Sequence, residues 1–92
     1  MKVRVKAFAR FRDLAGAETS IDLEEGSTAV DLLETVFSSH PDLKEALLDP
    51  DGKVGEGVKI LINRRGIDPS DPTDAVLEDG DEVALLPPFS GG

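Results

Sequence analysis

The first residues of the chain alternate between apolar and charged side chains. Apolar residues occupy every second position at the start: Val3, Val5 and Ala7. A period of two is typical of a strand with one buried face, so this pattern predicts a strand over residues 2–8. A second alternating run at residues 19–23 predicts its partner, and Asp13 and Gly16 predict the turn that makes the pair a hairpin.

In the next segment the spacing of apolar residues changes from every second position, typical of a strand, to the spacing typical of a helix. Apolar residues recur at three- and four-residue spacing: Ala29, Val30, Leu33, Val36 and Phe37. This spacing predicts an amphipathic helix over residues 28–39, and Thr28 with Asp31 resembles a capping box at its start. Pro41 predicts the first turn of a second, shorter helix, where its missing N–H is not needed.

The second half of the chain returns to strand patterns separated by turn formers. Residues 49–57 are rich in glycine and aspartate, which predicts an exposed loop. Apolar residues in phase predict a third strand over residues 58–62, followed by a turn at Asn63 to Gly66. Residues 67–81 form a predicted acidic connection with two prolines.

The end of the chain combines a turn, a strand and a short tail. Asp79-Gly80-Asp81 is a tight-turn signal before an apolar run that predicts the last strand, residues 82–86. Pro87-Pro88 stops that strand because proline cannot donate to a ladder. Residues 89–92 have no pattern able to bury them, so we expect a flexible tail.

The order strand, strand, helix, strand, strand predicts an α+β protein with the β-grasp, or ubiquitin-like, fold. In this fold one mixed sheet is covered by one main helix packed across it. The first and last strands are expected to be parallel neighbours at the centre, because the helix supplies the crossover that parallel strands need. We expect one β-grasp domain over residues 1–88 and a Gly-Gly tail over residues 89–92.

Composition narrows the possible chemistry. The 92 residues include no cysteine, which excludes a disulfide scaffold, a cysteine-ligated zinc and a cysteine nucleophile. The one histidine, His40, falls in a predicted inter-helix turn, and the chain contains no P-loop, GxGxxG or metal-ligand motif. We therefore expect neither a catalytic residue nor a metal site. Without an apolar run or a signal peptide, the chain is expected to be cytoplasmic and away from membranes.

The net charge of −9 is unevenly distributed, because five basic residues and no acidic residue lie within residues 1–12. The acidic remainder is expected to repel nucleic acid. Two explanations stay open: the charge keeps the protein soluble, as in a salty cytoplasm, or it steers the protein toward a basic partner.

The most specific chemical feature is the terminal pair Gly91-Gly92. A tail without side chains can enter a narrow channel and present its carboxylate to another protein's active site. A carboxylate is a poor electrophile and needs activation, for example as an acyl-adenylate made with ATP. The chain offers no base, nucleophile or metal for that step, so a partner enzyme is expected to supply them.

Three segments resemble one known family. They are FARFRDLAG at residues 8–16, TAVDLL at residues 28–33 and DGDEVALLPPFSGG at residues 79–92. They are similar to the corresponding parts of the MoaD and ThiS sulfur carriers, in particular the MoaD branch and its archaeal small-modifier relatives. The last segment, with its D-G-D-E-V-A, P-P and G-G elements, is the most specific.

The resemblance implies a carrier that is a substrate rather than an enzyme. An E1-like adenylating enzyme would activate Gly92 with MgATP, and the adenylate would become a C-terminal thiocarboxylate. In the MoaD branch the thiocarboxylate donates sulfur to the pterin precursor of the molybdenum or tungsten cofactor, together with the large subunit of molybdopterin synthase. The resemblance therefore implies no cofactor bound by this chain itself.

Two other functions stay open. In the archaeal relatives the same carboxylate can form an isopeptide bond with lysines of target proteins, which would make the chain a ubiquitin-like modifier. Alternatively, the chain is a β-grasp binding module whose Gly-Gly end is incidental.

Strand phase also predicts a docking patch. Phe8, Leu61 and Leu86 are out of phase with the core-facing residues of their strands, so we expect them to cluster on the open face of the sheet. The alternative is that a strand bends and they join a secondary core. Phe89, bulkier than the valine or similar small residue often found there in the family, bears on the fit in a partner's channel. Four basic residues either ring the patch or are simply solvated: Arg4, Lys6, Arg10 and Arg12.

Overall fold

Five strands form one mixed sheet in the computed structural model, which describes residues 1–66 and 76–88. In chain order they are β1 (Lys2–Ala7), β2 (Glu18–Asp22), β3 (Lys59–Ile62), β4 (Arg65–Gly66) and β5 (Glu82–Leu86). Across the sheet their order is β2-β1-β5-β3-β4. The central pair, β1 and β5, runs parallel and the other pairs run antiparallel, as the β-grasp prediction requires.

Three helices accompany the sheet: α1 (Ala9–Ala15), α2 (Ala29–Ser39) and α3 (Pro41–Leu47). The predicted capping box starts α2. The Thr28 N–H donates to the Asp31 carboxylate at 2.9 Å, and the Asp31 N–H donates to Thr28 Oγ1 at 3.4 Å. These two bonds satisfy backbone donors that have no partner within a helix's first turn. Pro41 occupies the first turn of α3, also as predicted.

The hydrophobic core lies between one face of the sheet and the helices. The in-phase residues of the central strands meet there, since Val5 pairs with Val83 and Ile60 pairs with Leu85. Within the described residues no polar or charged side chain is buried. The core is therefore held by apolar burial alone. Its largest fully buried side chains are Phe11, Leu32, Leu43, Leu47, Ile60, Leu85, Val3, Val36 and Val83.

The turn predicted between the first two strands is wrong, because helix α1 occupies most of it. Strand β1 ends at Ala7, and Phe8 is the N-cap residue of α1, with its carbonyl accepting the N–H of Phe11 at 3.1 Å. Phe11 is the only buried residue of this helix. One buried residue in seven gives the sequence no helical periodicity, so the helix was not predicted. The predicted antiparallel pairing of β1 with β2 is confirmed.

The short strand β4 was also absent from the prediction. Asn63 and Arg64 have positive φ angles of 51° and 71°, which form a tight reversal after β3. The chain therefore returns at once, and Leu61 pairs with Gly66. The other boundaries shift slightly: β2 begins and ends one residue earlier than predicted, and β3 begins one residue later.

The connection predicted at residues 67–81 is described only from residue 76. Leu77 is buried there, and its N–H donates to the Ser27 carbonyl at 2.9 Å. This bond ties the connection to the chain just before helix α2. Residues 67–75 lie outside the described part of the chain.

The loop at residues 49–57 is fastened at both ends, although most of its side chains are exposed, as predicted. Asp49 caps its first turn: the carboxylate accepts the N–H groups of Asp51 at 2.9 Å and Lys53 at 3.0 Å. Near its other end, the Gly55 N–H donates to the Leu47 carbonyl at 2.8 Å. The loop therefore has a defined shape against the end of helix α3.

The structure predicts that Phe11 anchors helix α1. Phe11→Ala should lower the free energy of unfolding by about 3–5 kcal/mol, because it removes a fully buried aromatic ring. Leu14→Ala in the same helix is the control and should cost far less, since Leu14 is 37% exposed. Urea unfolding measures both. Equal, small losses would show that α1 is not held by Phe11.

Candidate functional site

Part of the predicted site lies outside the described residues: Phe89, Gly91 and Gly92. The structure instead describes the root of the tail, Pro87-Pro88, directly after β5. Because β1 and β5 are parallel, both strands end at the same edge of the sheet. The tail therefore begins at the edge where β1 gives way to helix α1.

The predicted docking residues approach one another at this edge. Ala7 pairs with Leu85, so one step further along the parallel strands Phe8 comes beside Leu86. The Phe8 N–H donates to the Leu85 carbonyl at 3.2 Å, which keeps Phe8 against β5. Phe8 is 43% exposed, one of the few large apolar side chains with this exposure among the described residues.

Leu61 completes the corner from the neighbouring strand. It pairs with Ala84, and Leu86 pairs with Lys59, so Leu61 and Leu86 are diagonal neighbours on the same face. Both are partly buried rather than enclosed. We call the three residues Phe8, Leu61 and Leu86 the apolar corner. Their strand phase predicts that they lie together, and their role in docking remains a prediction.

Ion pairs lie on the open face beside the apolar corner. Lys6 Nζ lies 2.8 Å from the Glu82 carboxylate, and Arg4 lies 3.8 Å from Glu18 and 4.0 Å from Glu82. These contacts are made within the sheet, so Arg4 and Lys6 are engaged by carboxylates beside the apolar corner. Arg10 and Arg12 are exposed on helix α1.

Glu82 contacts two basic side chains of this face, Lys6 and Arg4. The hydrogen bond from Lys6 is the main cause that lowers the pKa of the Glu82 carboxyl, and the charges of Lys6, Arg4 and Arg64 act in the same direction. Partial burial opposes them. The carboxylate form is therefore favoured, and Glu82 links the two central strands through side chains as well as backbone. Sequence reasoning missed this role, because one acid among nineteen gives no signal.

The Asp79-Gly80-Asp81 motif fastens the start of β5. The Lys2 N–H donates to Asp79 Oδ1 at 2.7 Å, and the Gly80 N–H donates to the Lys2 carbonyl at 2.8 Å. Asn63 reaches the motif from the other side, with Nδ2 donating to Asp81 Oδ1 at 2.9 Å. The motif thus joins β5 to β1 and to the turn after β3, so its function in this chain is structural.

The described residues give little support for a metal site, a catalytic histidine or a membrane-spanning helix. No group of three or more histidine, cysteine, aspartate or glutamate side chains in residues 1–66 and 76–88 is placed to hold a metal ion. His40 lies at the junction of α2 and α3, where its backbone N–H closes the last turn of α2 by donating to the Val36 carbonyl. In the same ranges, no helix is both long enough and apolar enough to cross a membrane.

The pairing of Lys6 with Glu82 predicts a pH effect. Lys6→Met should raise the pKa of Glu82 toward its ordinary value, measured from the side-chain carboxyl carbon shift by NMR. Lys59→Met is the control, because Lys59 lies on the same face opposite Leu86, at the other end of β5 from Glu82. Because the pKa of Glu82 is lowered in the folded protein, its ionised form stabilises the fold. This contribution is fully present at pH values above the ordinary glutamate pKa and is lost as the pH falls through the pKa of the folded state.

The lowered pKa of Glu82 also predicts how the free energy of unfolding changes with pH. On acidification through that range, the wild-type protein should lose more free energy of unfolding than Lys6→Met does. Parallel losses in the two proteins, or an unchanged Glu82 pKa in Lys6→Met, would contradict the pairing.

Comparison with known proteins identifies the family. The sequence model described as "ThiS family" matches residues 5–92. Over 93 residues the chain is 33% identical to the molybdopterin synthase sulfur carrier subunit of Chlamydomonas reinhardtii, with 100% of both chains covered. Over 88 residues it is 33% identical to small archaeal modifier protein 1 of Haloferax volcanii, covering 95% of this chain and 97% of that protein.

The fold comparison agrees with the sequence comparison. The crystal structure of SAMP1 from Haloferax volcanii superposes with a TM-score of 0.86 and 28% identity, and 100% of each chain is covered. The full-length match in sequence and in structure confirms the β-grasp fold and the resemblance to the sulfur carriers and archaeal small modifiers. The chain therefore belongs to the ThiS family, among relatives that include a sulfur carrier subunit and an archaeal protein modifier.

Proposed function

We propose that the protein is a sulfur carrier whose working group is the Gly92 carboxylate. The observation that carries this proposal is the full-length similarity to a sulfur carrier subunit, in a chain whose own sequence ends in Gly91-Gly92. In this function an E1-like enzyme activates the carboxylate. The sulfur then passes to the pterin precursor of the molybdenum or tungsten cofactor in a complex with the large subunit of molybdopterin synthase.

The proposed chemistry needs two displacements at the end of the chain. A carboxylate oxygen of Gly92 attacks the α-phosphorus of ATP, and pyrophosphate leaves, so that the carboxyl carbon becomes the carbonyl of an acyl-adenylate. A sulfur nucleophile at the oxidation level of sulfide then attacks that carbon, and AMP leaves with the bridging oxygen. The product is a thiocarboxylate. Glycine suits both steps because it leaves the carbonyl without a side chain beside it.

The described surface supports a partner that recognises the domain and receives its tail together. The apolar corner lies at the edge of the sheet where β5 leads into Pro87-Pro88. A partner that covers Phe8 and Leu86 is therefore next to the root of the tail. Apolar residues at the centre of an interface, with paired charges around them, are typical of specific protein contacts.

Protein modification is the second candidate, and the likeness to the small archaeal modifier protein favours it. Both functions share the adenylate. In modification, the amine of a target lysine attacks the activated carbonyl instead of sulfur, AMP leaves, and an isopeptide bond forms after the amine loses a proton. The same chain can serve both functions, because the two reactions diverge only at the nucleophile.

The intact mass of the protein from its native host tests the carrier function. We expect N-terminally tagged protein to carry sulfur in place of one C-terminal oxygen, located on the peptide that ends in Gly92. A variant lacking Gly91 and Gly92 should show no such change. Gly-Gly remnants on lysines of other proteins would favour the modifier function, and an unmodified, unlinked terminus would contradict both.

The apolar corner makes a separate binding prediction. Phe8→Asp should leave the fold intact because Phe8 is 43% exposed, but it should weaken binding to the E1-like enzyme by about tenfold or more. Val76→Asp is the control: it introduces the same charge at a side chain that is 61% exposed and lies by Thr28, at the start of helix α2.

Calorimetry of binding and circular dichroism of each variant measure the two effects. Leu86→Asp tests the same corner from β5. Unchanged affinity in Phe8→Asp would remove the corner from the docking surface, and loss of the folded state would assign Phe8 to the core instead.

A further inference from the structure

The loop at residues 49–57 touches the root of the tail through its last residue. If Gly57 carried a Cβ atom, that atom would lie 2.7 Å from the Cβ of Pro88, and 3.6 Å from its Cα. Nonbonded carbon atoms prefer separations of about 3.5–4.0 Å. The close approach of the loop to Pro88 therefore requires glycine at position 57.

The loop cannot easily retreat from this contact. The Val58 N–H donates to the Gly55 carbonyl at 3.1 Å, and Gly55 is bound in turn to Leu47 at the end of helix α3. Val58 itself is 4% exposed and belongs to the hydrophobic core. Gly57 thus lies between Gly55, which is hydrogen-bonded to Leu47, and Val58, which is buried. A side chain added at position 57 would displace Pro88 more readily than it would displace the loop.

Pro88 is also held from the side of the sheet. Leu86 is the last residue of β5, and two consecutive prolines follow it. Each proline ring fixes its own φ angle, and each residue before a proline is restricted to extended conformations. The segment from Leu86 to Pro88 is therefore stiff, with one end in the sheet and the other against Gly57.

We propose that Gly57 is a positioning residue for the root of the C-terminal tail. Its contact with Pro88 sets the place and direction in which the chain leaves the domain toward Gly92. The loop at residues 49–57 then determines where the tail starts relative to the apolar corner when the activating enzyme holds that corner. This inference rests on the proposed activation of Gly92 and assigns the loop at residues 49–57 a role in that reaction.

The chain offers a matched pair of glycines for the test. Gly52 and Gly57 lie in the same loop and both have a φ angle of 82°. A Cβ at Gly52 would meet nothing within 4 Å, whereas a Cβ at Gly57 would meet Pro88. Alanine at either position carries the same kind of backbone cost. Only Gly57→Ala is expected to move the root of the tail.

The enzymatic measurement compares the two variants as substrates of the host's E1-like adenylating enzyme, using ATP–pyrophosphate exchange. Gly57→Ala should lower kcat by about tenfold or more with little change in KM, because the apolar corner is intact while the tail leaves the domain from a displaced root. Gly52→Ala should match the wild-type protein. Equal kinetics for the two variants would overturn the inference.

A second variant keeps the test independent of folding. Pro88→Gly removes the Cβ that alanine at position 57 would meet. In the Pro88→Gly background, Gly57→Ala should therefore have no further effect on kcat, which makes the pair non-additive. An equal effect of Gly57→Ala in both backgrounds would show that the contact with Pro88 is not the cause. Thermal unfolding of each variant accompanies the kinetics.

A structural measurement separates this inference from the proposed function. The amide shifts of Leu86 and of residues 89–92 should change in Gly57→Ala and not in Gly52→Ala. If the wild-type protein is not adenylated, the proposed function fails, and the amide shifts alone decide whether Gly57 positions the tail. If the wild-type protein is adenylated but the shifts are the same in both variants, only the inference fails.

Discussion

The parallel pairing of β1 with β5 brings the beginning and the end of the domain together at the centre of the sheet. Parallel neighbours need a long crossover, so everything between them is the connection: α1, β2, α2, α3, β3 and β4. Val5 and Val83, paired across this centre, turn both strands' apolar faces toward the helices. The same register turns Lys6 and Glu82 outward, where their ion pair joins the two strands again.

The position of the candidate site is a consequence of this parallel pairing. Strands that run parallel end at one edge, so Phe8 and the root of the tail are neighbours although they are far apart in sequence. The chain thus places the apolar corner beside Pro87-Pro88, the segment that leads to the terminal glycines. The basic residues Arg4 and Lys6 are satisfied largely within the sheet, which leaves the apolar side chains as the distinctive feature of this edge.

Sequence patterns predicted most of the fold because its strands and main helix bury one regular face each. The alternation over residues 2–8 and the apolar run at residues 82–86 contained both central strands, and Thr28 with Asp31 marked the start of α2. Helix α1 was missed because Phe11 is its one buried residue, and β4 because two residues have no period. The approach of Gly57 to Pro88 has no sequence signal at all, since it depends on the path of a loop.

The central strand pair also determines how the protein responds to force. A pull on the tail acts at the end of β5, whereas the chain's first residue, Met1, lies at the opposite end of β1 and donates from its amino group to the Leu23 carbonyl at 2.8 Å. Force applied between these ends runs along the strands, so the hydrogen bonds between β1 and β5 are loaded together in shear rather than opened one at a time. Tension applied between the two ends of the domain is therefore shared by these hydrogen bonds, and the sheet resists unzipping.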